Sequence, residues 1–195
     1  MAGPRTQAVR QRILQATYDC VARKGLAKTT IEDAAREAGL SRATVYRYFP
    51  EGREELMHSV VTWEYARFFT RLYDEVHGAT SLEEVMERGI MFAHRAIQGH
   101  QVLQRVLDTE PGSLLPALTG ENVETVEVIA GFLTPYLERH ELAPGIEVGE
   151  AATYLARMVL SYIGSPGRWD LDDPGQVARL VRAELLGGIV PPPHR

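Results

Sequence analysis

The sequence predicts an all-α protein in which an N-terminal three-helix helix-turn-helix domain precedes a helical body. Apolar residues recur at helical spacing along the chain, and no convincing alternation of apolar and polar residues indicates a strand. The chain has 195 residues, of which 45% are hydrophobic, without a long apolar run, so one large or two small globular domains are expected. Residues 1–50 hold nine Lys and Arg against four acids, whereas the whole chain has a net charge of −5.

The first predicted helix covers 13–25. Its single cysteine, Cys20, shares an apolar stripe with Ile13 and Val21, which favours a small core residue over the alternative of a reactive thiol. An internal disulfide is excluded because Cys20 has no second cysteine to pair with.

Two short helices joined by a tight turn are predicted between Thr29 and Phe49. Gly39 ends the first of them, because glycine adopts a positive φ at no steric cost, and Ser41 can cap the second. The first helix has a stripe of apolar and small residues for burial: Ile31, Ala34, Ala35 and Ala38.

The second short helix, Arg42–Tyr48, has one apolar anchor at Val45, and Phe49 follows one turn further on. Its other side chains have no core to enter and must face water or a ligand. Arginine can bridge guanine O6 and N7, and hydroxyl groups can bind phosphate oxygens, so this helix has the composition of one that reads DNA. An ordinary helical hairpin with a solvated face is the alternative.

Helical patterns continue to the end of the chain. A long helix is predicted over 53–76, and Ser81 with Glu84 has the spacing of a capping box that opens a helix ending near Gln98. Further helices are predicted over 101–109, 122–140 with a kink at Pro135, 148–164 and 174–187.

The N-terminal third resembles the DNA-binding domain of the TetR family of bacterial repressors. The matching segments are Thr29-Thr30, Gly39-Leu40-Ser41 and Val45-Tyr46-Arg47-Tyr48-Phe49, followed by Arg53-Glu54-Glu55-Leu56. The link 50–52 looks one residue longer than the commonest form, and Arg53 stands where a phosphate-binding lysine is usual.

The resemblance implies a DNA-binding domain over 6–52, an effector-binding and dimerisation domain over 53–190, and a tail over 191–195. It also implies a homodimer that pairs through 148–164 and 174–187 and binds a palindromic double-stranded DNA operator. A small hydrophobic effector would release the protein from that operator, so the implied function is a ligand-responsive repressor.

The candidate DNA contacts fall into two groups, contacts to bases and contacts to phosphates. Arg42, Ala43 and Tyr46 are expected at bases, and Arg47 at bases or phosphates. Phosphate contacts are expected from Thr30, Thr44, Tyr48 and Arg53.

A small-molecule cavity is expected between helices of the body. Its aromatic, Met and Arg candidates would suit a fatty acyl derivative with a polar end or an aromatic drug equally well. The candidates are Tyr65, Phe69, Met91, Phe92, Arg95, Leu103, Tyr136, Tyr154 and Met158.

The sequence argues against an enzyme. No histidine is followed by Asp, no H-E-x-x-H motif or cysteine cluster could hold zinc, and no glycine loop could cradle phosphate, so neither a metal nor a cofactor is expected. A secretory signal and a membrane span are also lacking, which predicts a cytoplasmic protein. The remaining alternative is a helical ligand-binding or adaptor protein that does not bind DNA.

Overall fold

The computed structural model describes residues 4–109 and 123–191, and all regular structure within these two stretches is helical. The all-α prediction is therefore confirmed. The helices, numbered here in chain order, are α1 Pro4–Lys24, α2 Ile31–Glu37, α3 Arg42–Tyr48, α4 Arg53–Val76, α5 Leu82–Gln98, α6 Gln101–Thr109, α7 Val123–Leu137, α8 Val148–Gly164 and α9 Pro174–Leu180, which a π-helical turn, Val181–Leu185, extends.

The first of two compact units contains α1, α2, α3, α6 and α4 as far as Arg71. Helices α1, α2 and α3 pack around a buried apolar core. Cys20 is 2% exposed, which confirms it as a core residue. This core includes Ile13, Leu14, Ile31, Ala34, Val45, Phe49 and Leu56.

The second unit contains the last residues of α4 together with α5, α7, α8 and α9. Its core is built from one face of each of these last four helices and from the chain that follows α9. The largest fully buried side chains in it are Leu82, Ile90, Leu137, Leu155, Leu171, Leu180, Leu185 and Leu186.

The two units divide the chain inside α4, at Arg71, and α6 belongs with the first unit. This grouping reports packing, so the functional division between 6–52 and 53–190 stays a prediction. Of the predicted tail 191–195, residues 192–195 lie outside the described residues.

Several helix ends differ from the prediction. Helix α1 begins at Pro4 instead of Ile13, and α7 ends at Leu137 instead of His140. Proline has no N–H, so Pro135 cannot donate to the carbonyl four residues back. A few residues after it, the backbone hydrogen bonds change from four-residue to three-residue spacing. The N–H groups of Arg139 and His140 then donate to carbonyls only three residues back, at 3.3 and 3.1 Å.

The helix after Asp173 also changes before its predicted end at Gly187. The Leu186 N–H donates to the Val181 carbonyl, five residues back, at 2.8 Å, so the last turn is π-helical and ends at Leu185.

The predicted capping box at the start of α5 forms only in part. Ser81 Oγ accepts the Glu84 N–H at 3.1 Å, as expected. The Glu84 carboxylate instead accepts the backbone N–H of Thr80 at 2.7 Å. No helix within 4–109 or 123–191 combines the length and the apolar content that a bilayer span requires.

Candidate nucleic-acid interface

A reciprocal cap opens α2. Thr30 Oγ1 accepts the Asp33 N–H at 3.2 Å, and Asp33 Oδ2 accepts the Thr30 N–H at 3.3 Å. Lys24 Nζ donates to Asp33 at 2.6 Å, and this bond, helped by those from Thr30, lowers the pKa of Asp33 to about 2. Thr30 was predicted only as a phosphate contact, although its T-x-x-D spacing was the signal for a cap. Its side chain is exposed, so its hydroxyl proton can still reach a phosphate.

The turn between α2 and α3 has the geometry that the sequence predicts. Gly39 has φ +62°, and the Leu40 N–H donates to the Ala35 carbonyl at 2.9 Å, which closes a Schellman motif. Ser41 Oγ then accepts the Thr44 N–H at 3.1 Å and caps α3. These local bonds fix the direction in which α3 leaves α2.

The buried side of α3 anchors it to the rest of the first unit. Val45 and Phe49 are both 0% exposed, as predicted. The Arg10 guanidinium of α1 lies 5.1 Å from the centre of the Phe49 ring and also donates to Ser59 Oγ of α4 at 3.1 Å. Arg10 therefore links the end of α3 to α1 and α4, while α3 packs against α2.

The opposite side of α3 carries the predicted DNA contacts. Thr44 and Tyr48 are half-buried, and the Thr44 hydroxyl lies 2.9 Å from Ser41 Oγ. The Arg47 guanidinium lies 5.5 Å from the centre of the Tyr48 ring. The exposed side chains are Arg42, Ala43, Tyr46 and Arg47.

Arg42 has a carboxylate partner that the sequence analysis did not identify. Arg42 Nη2 lies 2.7 Å from Glu32 Oε1 on the first turn of α2. An exposed ion pair of this kind contributes little to stability. In the free protein it holds the guanidinium beside the first turn of α2.

Arg53 has a structural role that the sequence analysis missed. Its Nε donates to the Thr29 carbonyl at 2.8 Å, and its Nη2 donates to the carbonyls of Leu26 and Ala27 at 2.6 and 3.3 Å. These bonds tie the start of α4 to the loop before α2. Among the described residues no acceptor for Nη1 is found, which leaves that nitrogen for a phosphate.

The predicted effector residues are distributed over both units. In the first unit Tyr65, Phe69 and Leu103 are half-buried. In the second unit Arg95 is exposed, and Tyr154 is 44% exposed with its hydroxyl donating to the Glu184 carbonyl at 3.2 Å. The others, Met91, Phe92, Tyr136 and Met158, are half-buried in that unit.

A cavity of about 560 Å³ lies within the second unit, between the ends of α4 and α7 and the start of α5. Tyr136 is the one member of the predicted effector set among its described lining residues. A different polar group, His94 Nδ1, is buried without a hydrogen-bond partner in the described part of the chain. The described residues contain no cluster of His, Cys, Asp and Glu that could hold a metal ion.

Comparison with known proteins bears on the part of the chain that contains α2 and α3. Residues 13–60, which contain the whole of α2 and α3, match the family model of bacterial regulatory proteins of the tetR family. An uncharacterized HTH-type transcriptional regulator of Mycobacterium tuberculosis, Rv1255c, is 26% identical over 93% of this chain and 87% of its own length. A second from that species, Rv2250c, is 45% identical over 51 residues, 26% of each chain.

The fold also has a solved counterpart. The TetR family repressor AlkX from Dietzia sp. strain DQ12-45-1b, implicated in biodegradation of n-alkanes, superposes with a TM-score of 0.63 at 23% identity. The match covers 93% of this chain and 97% of that one, so the same helical architecture extends through both units.

Proposed function

Because residues 13–60 match the family model of bacterial regulatory proteins of the tetR family, we propose that the protein is a TetR-family regulator that represses transcription from a palindromic operator as a homodimer and is released by a small hydrophobic effector. In this proposal the protein acts by binding DNA and not as an enzyme. The observation that carries the proposal is the two-sided α3, which buries Val45 and Phe49 while exposing Arg42, Tyr46 and Arg47. The site of action would be the cytoplasm, where the operator is.

In this proposal α3 enters the major groove, and its side chains contact either bases or phosphates. Arg42, Ala43 and Tyr46 contact bases, and Arg47 contacts bases or phosphates. Phosphate contacts by Thr30, Thr44, Tyr48 and Arg53 set the register. The exposed or half-buried surface of each of these side chains is compatible with its role.

The dimer is proposed to pair through 148–164 and 174–187. One helix of seven residues contacts too few base pairs to select a site in a genome, whereas two copies in successive major grooves, about 34 Å apart, read twice as many. Helix α8 offers a surface for this pairing, because Tyr154 is exposed and Met158 and Val159 are only half-buried in the single chain.

Release by an effector requires little energy. A tenfold fall in operator occupancy needs a preference of about 1.4 kcal/mol for the form that does not bind DNA. We propose that the effector acts through α4, which begins against the DNA-reading helices and ends in the second unit.

Titration against the DNA upstream of the protein's own gene tests the proposal. Contacts to phosphates release counterions, so the affinity should fall steeply between about 50 and 200 mM salt, and the specific fragment should outcompete a random fragment of equal length. Binding that is absent, or equal on both fragments, would favour an adaptor whose α3 contacts another protein. Screening small molecules for release of the same fragment then tests the effector.

Arg53→Ala should have two separable effects. Three backbone carbonyls lose a charged donor, so the free energy of unfolding should fall by about 1 kcal/mol in urea titrations. If Nη1 also contacts a phosphate, affinity should weaken alike on all sequences, and the slope of log affinity against log salt should become shallower by about one. Arg95→Ala, an exposed arginine of the second unit, is the control. An unchanged salt slope would remove Arg53 from the phosphate contacts.

A further inference from the structure

The cavity in the second unit is half open to solvent and has aromatic side chains on two sides. On the α4 side the rings of Tyr73 and His77 lie 5.9 Å apart between centres, and on the α7 side those of Phe132 and Tyr136 lie 5.6 Å apart. A volume of about 560 Å³ is in the range that holds a small organic ligand. Walls of this kind suit a flat ring, because aromatic faces and edges pack against one another.

Three polar side chains at the cavity, of which Tyr73 and Arg139 are exposed and Tyr136 is half-buried, have no hydrogen-bonding partner in the described part of the chain. Within the described residues no hydrogen-bond or ion-pair partner is found for the Tyr73 hydroxyl, the Tyr136 hydroxyl or the Arg139 guanidinium. Burial is the largest cause of the raised pKa of Tyr136, and Tyr73 and Arg139 also influence it, which indicates that the three polar ends are near one another.

The described lining of the cavity has basic side chains and no acidic ones. It contains the Arg139 guanidinium and two imidazoles but no carboxylate. The nearby carboxylate of Glu84 does not line the cavity and accepts the N–H and hydroxyl of Thr80. A ligand group that meets Arg139 and two phenolic O–H donors would therefore be an anion with several acceptors, and a carboxylate fits this description.

The backbone of α7 keeps the cavity open. Gly131 and Pro135 both line it, and a Cβ built on Gly131 would meet no atom within 4 Å. His140 fixes the end of the helix, because its Nδ1 donates to the Tyr136 carbonyl at 2.7 Å and its Nε2 accepts the Leu82 N–H at 3.0 Å. The cavity is thus held between α5 and α7 before a ligand enters.

From these features we propose that the cavity binds a planar aromatic carboxylate, with the ring between the two aromatic pairs and the carboxylate on Arg139. The phenolic hydroxyls of Tyr73 and Tyr136 donate to the same carboxylate. Such a ligand joins the end of α4 to the end of α7. That it also acts as the effector rests on the proposed function, whereas the binding itself does not.

Isothermal titration of the full-length protein with 2-naphthoate tests the site. One molecule should bind per chain, at least tenfold more tightly than the neutral 2-naphthamide or the flexible decanoate. Arg139→Gln should weaken naphthoate binding at least tenfold, and Tyr136→Phe should weaken it severalfold. Equal affinity for naphthoate and naphthamide, or tighter binding of decanoate, would overturn the proposed ligand class.

A second variant separates loss of the site from loss of the fold. Gly131→Leu adds a side chain at the cavity, where a Cβ meets no atom within 4 Å, and should abolish binding, while the midpoint of thermal unfolding stays the same or rises, because leucine favours a helix more than glycine does. Arg71→Gln, on α4 but outside the cavity lining, is the matched control and should bind normally. Normal binding by both Arg139→Gln and Gly131→Leu would overturn the proposed site, as would an equal loss in Arg71→Gln.

Release of the operator fragment by 2-naphthoate is measured separately. Binding that depends on Arg139 without release of DNA would leave the site established and would remove it from the effector mechanism.

Discussion

Val45→Asp should unfold the first unit and with it abolish DNA binding. The side chain of Val45 is 0% exposed at the centre of α3, among the apolar residues that hold α3 to its neighbours. The substitution removes this apolar contact and places a carboxylate there without a cation. Together these effects should lower the free energy of unfolding by at least about 4 kcal/mol, a large part of the stability of a small unit. Urea titration monitored by circular dichroism measures the loss.

The neighbouring residue supplies the matched control. Tyr46 is 43% exposed on the same helix, so Tyr46→Asp introduces the same charge into water. The free energy of unfolding of that variant should lie within about 1 kcal/mol of that of the unaltered chain, since surface substitutions rarely cost more. It should still lose operator binding, because the new carboxylate would face phosphates. A Val45→Asp protein that stays folded and binds DNA would show that Val45 does not anchor α3.

The turn between α2 and α3 could be predicted because its physics is local. A glycine at the one position that needs a positive φ, and a serine at the next cap, determine the path of the chain over a few residues. Helix periodicity likewise predicted that Val45 and Phe49 would be buried. These residues needed no knowledge of the rest of the fold.

The partners of Arg42 and Arg53 could not be predicted in the same way. Arg53 donates to carbonyls 24 to 27 residues earlier in the chain, and such contacts depend on how α1, α2 and α4 pack. The effector residues remain a prediction. Periodicity indicates which side of a helix is buried, but not which neighbour it is buried against, and of that set only Tyr136 lines the described cavity.

Arg42→Ala should weaken binding to the operator by about 1 to 3 kcal/mol and relax the choice of one base in each half-site. Arg42 lies on the first turn of α3, where a recognition helix contacts base edges, and its side chain is 61% exposed. Affinity for random DNA should change far less. Competition binding against operators with each base replaced in turn measures both effects. An equal loss on specific and random DNA would make Arg42 a phosphate contact instead.

Glu32→Gln refines the same prediction, because the carboxylate of Glu32 holds the Arg42 guanidinium at 2.7 Å in the free protein. Arg42 must leave this partner to reach a base. On the operator, two hydrogen bonds to a guanine replace the ion pair, whereas on random DNA a single phosphate contact does so less well. Because the unaltered protein must break the ion pair to reach a guanine but can keep it on random DNA, removing the carboxylate should raise affinity for the operator more than affinity for random DNA. Glu37→Gln, which removes the partner of Arg23 on the same short helix, should leave the ratio of the two affinities unchanged. If Glu32 has no part in discrimination, both variants will give the same ratio.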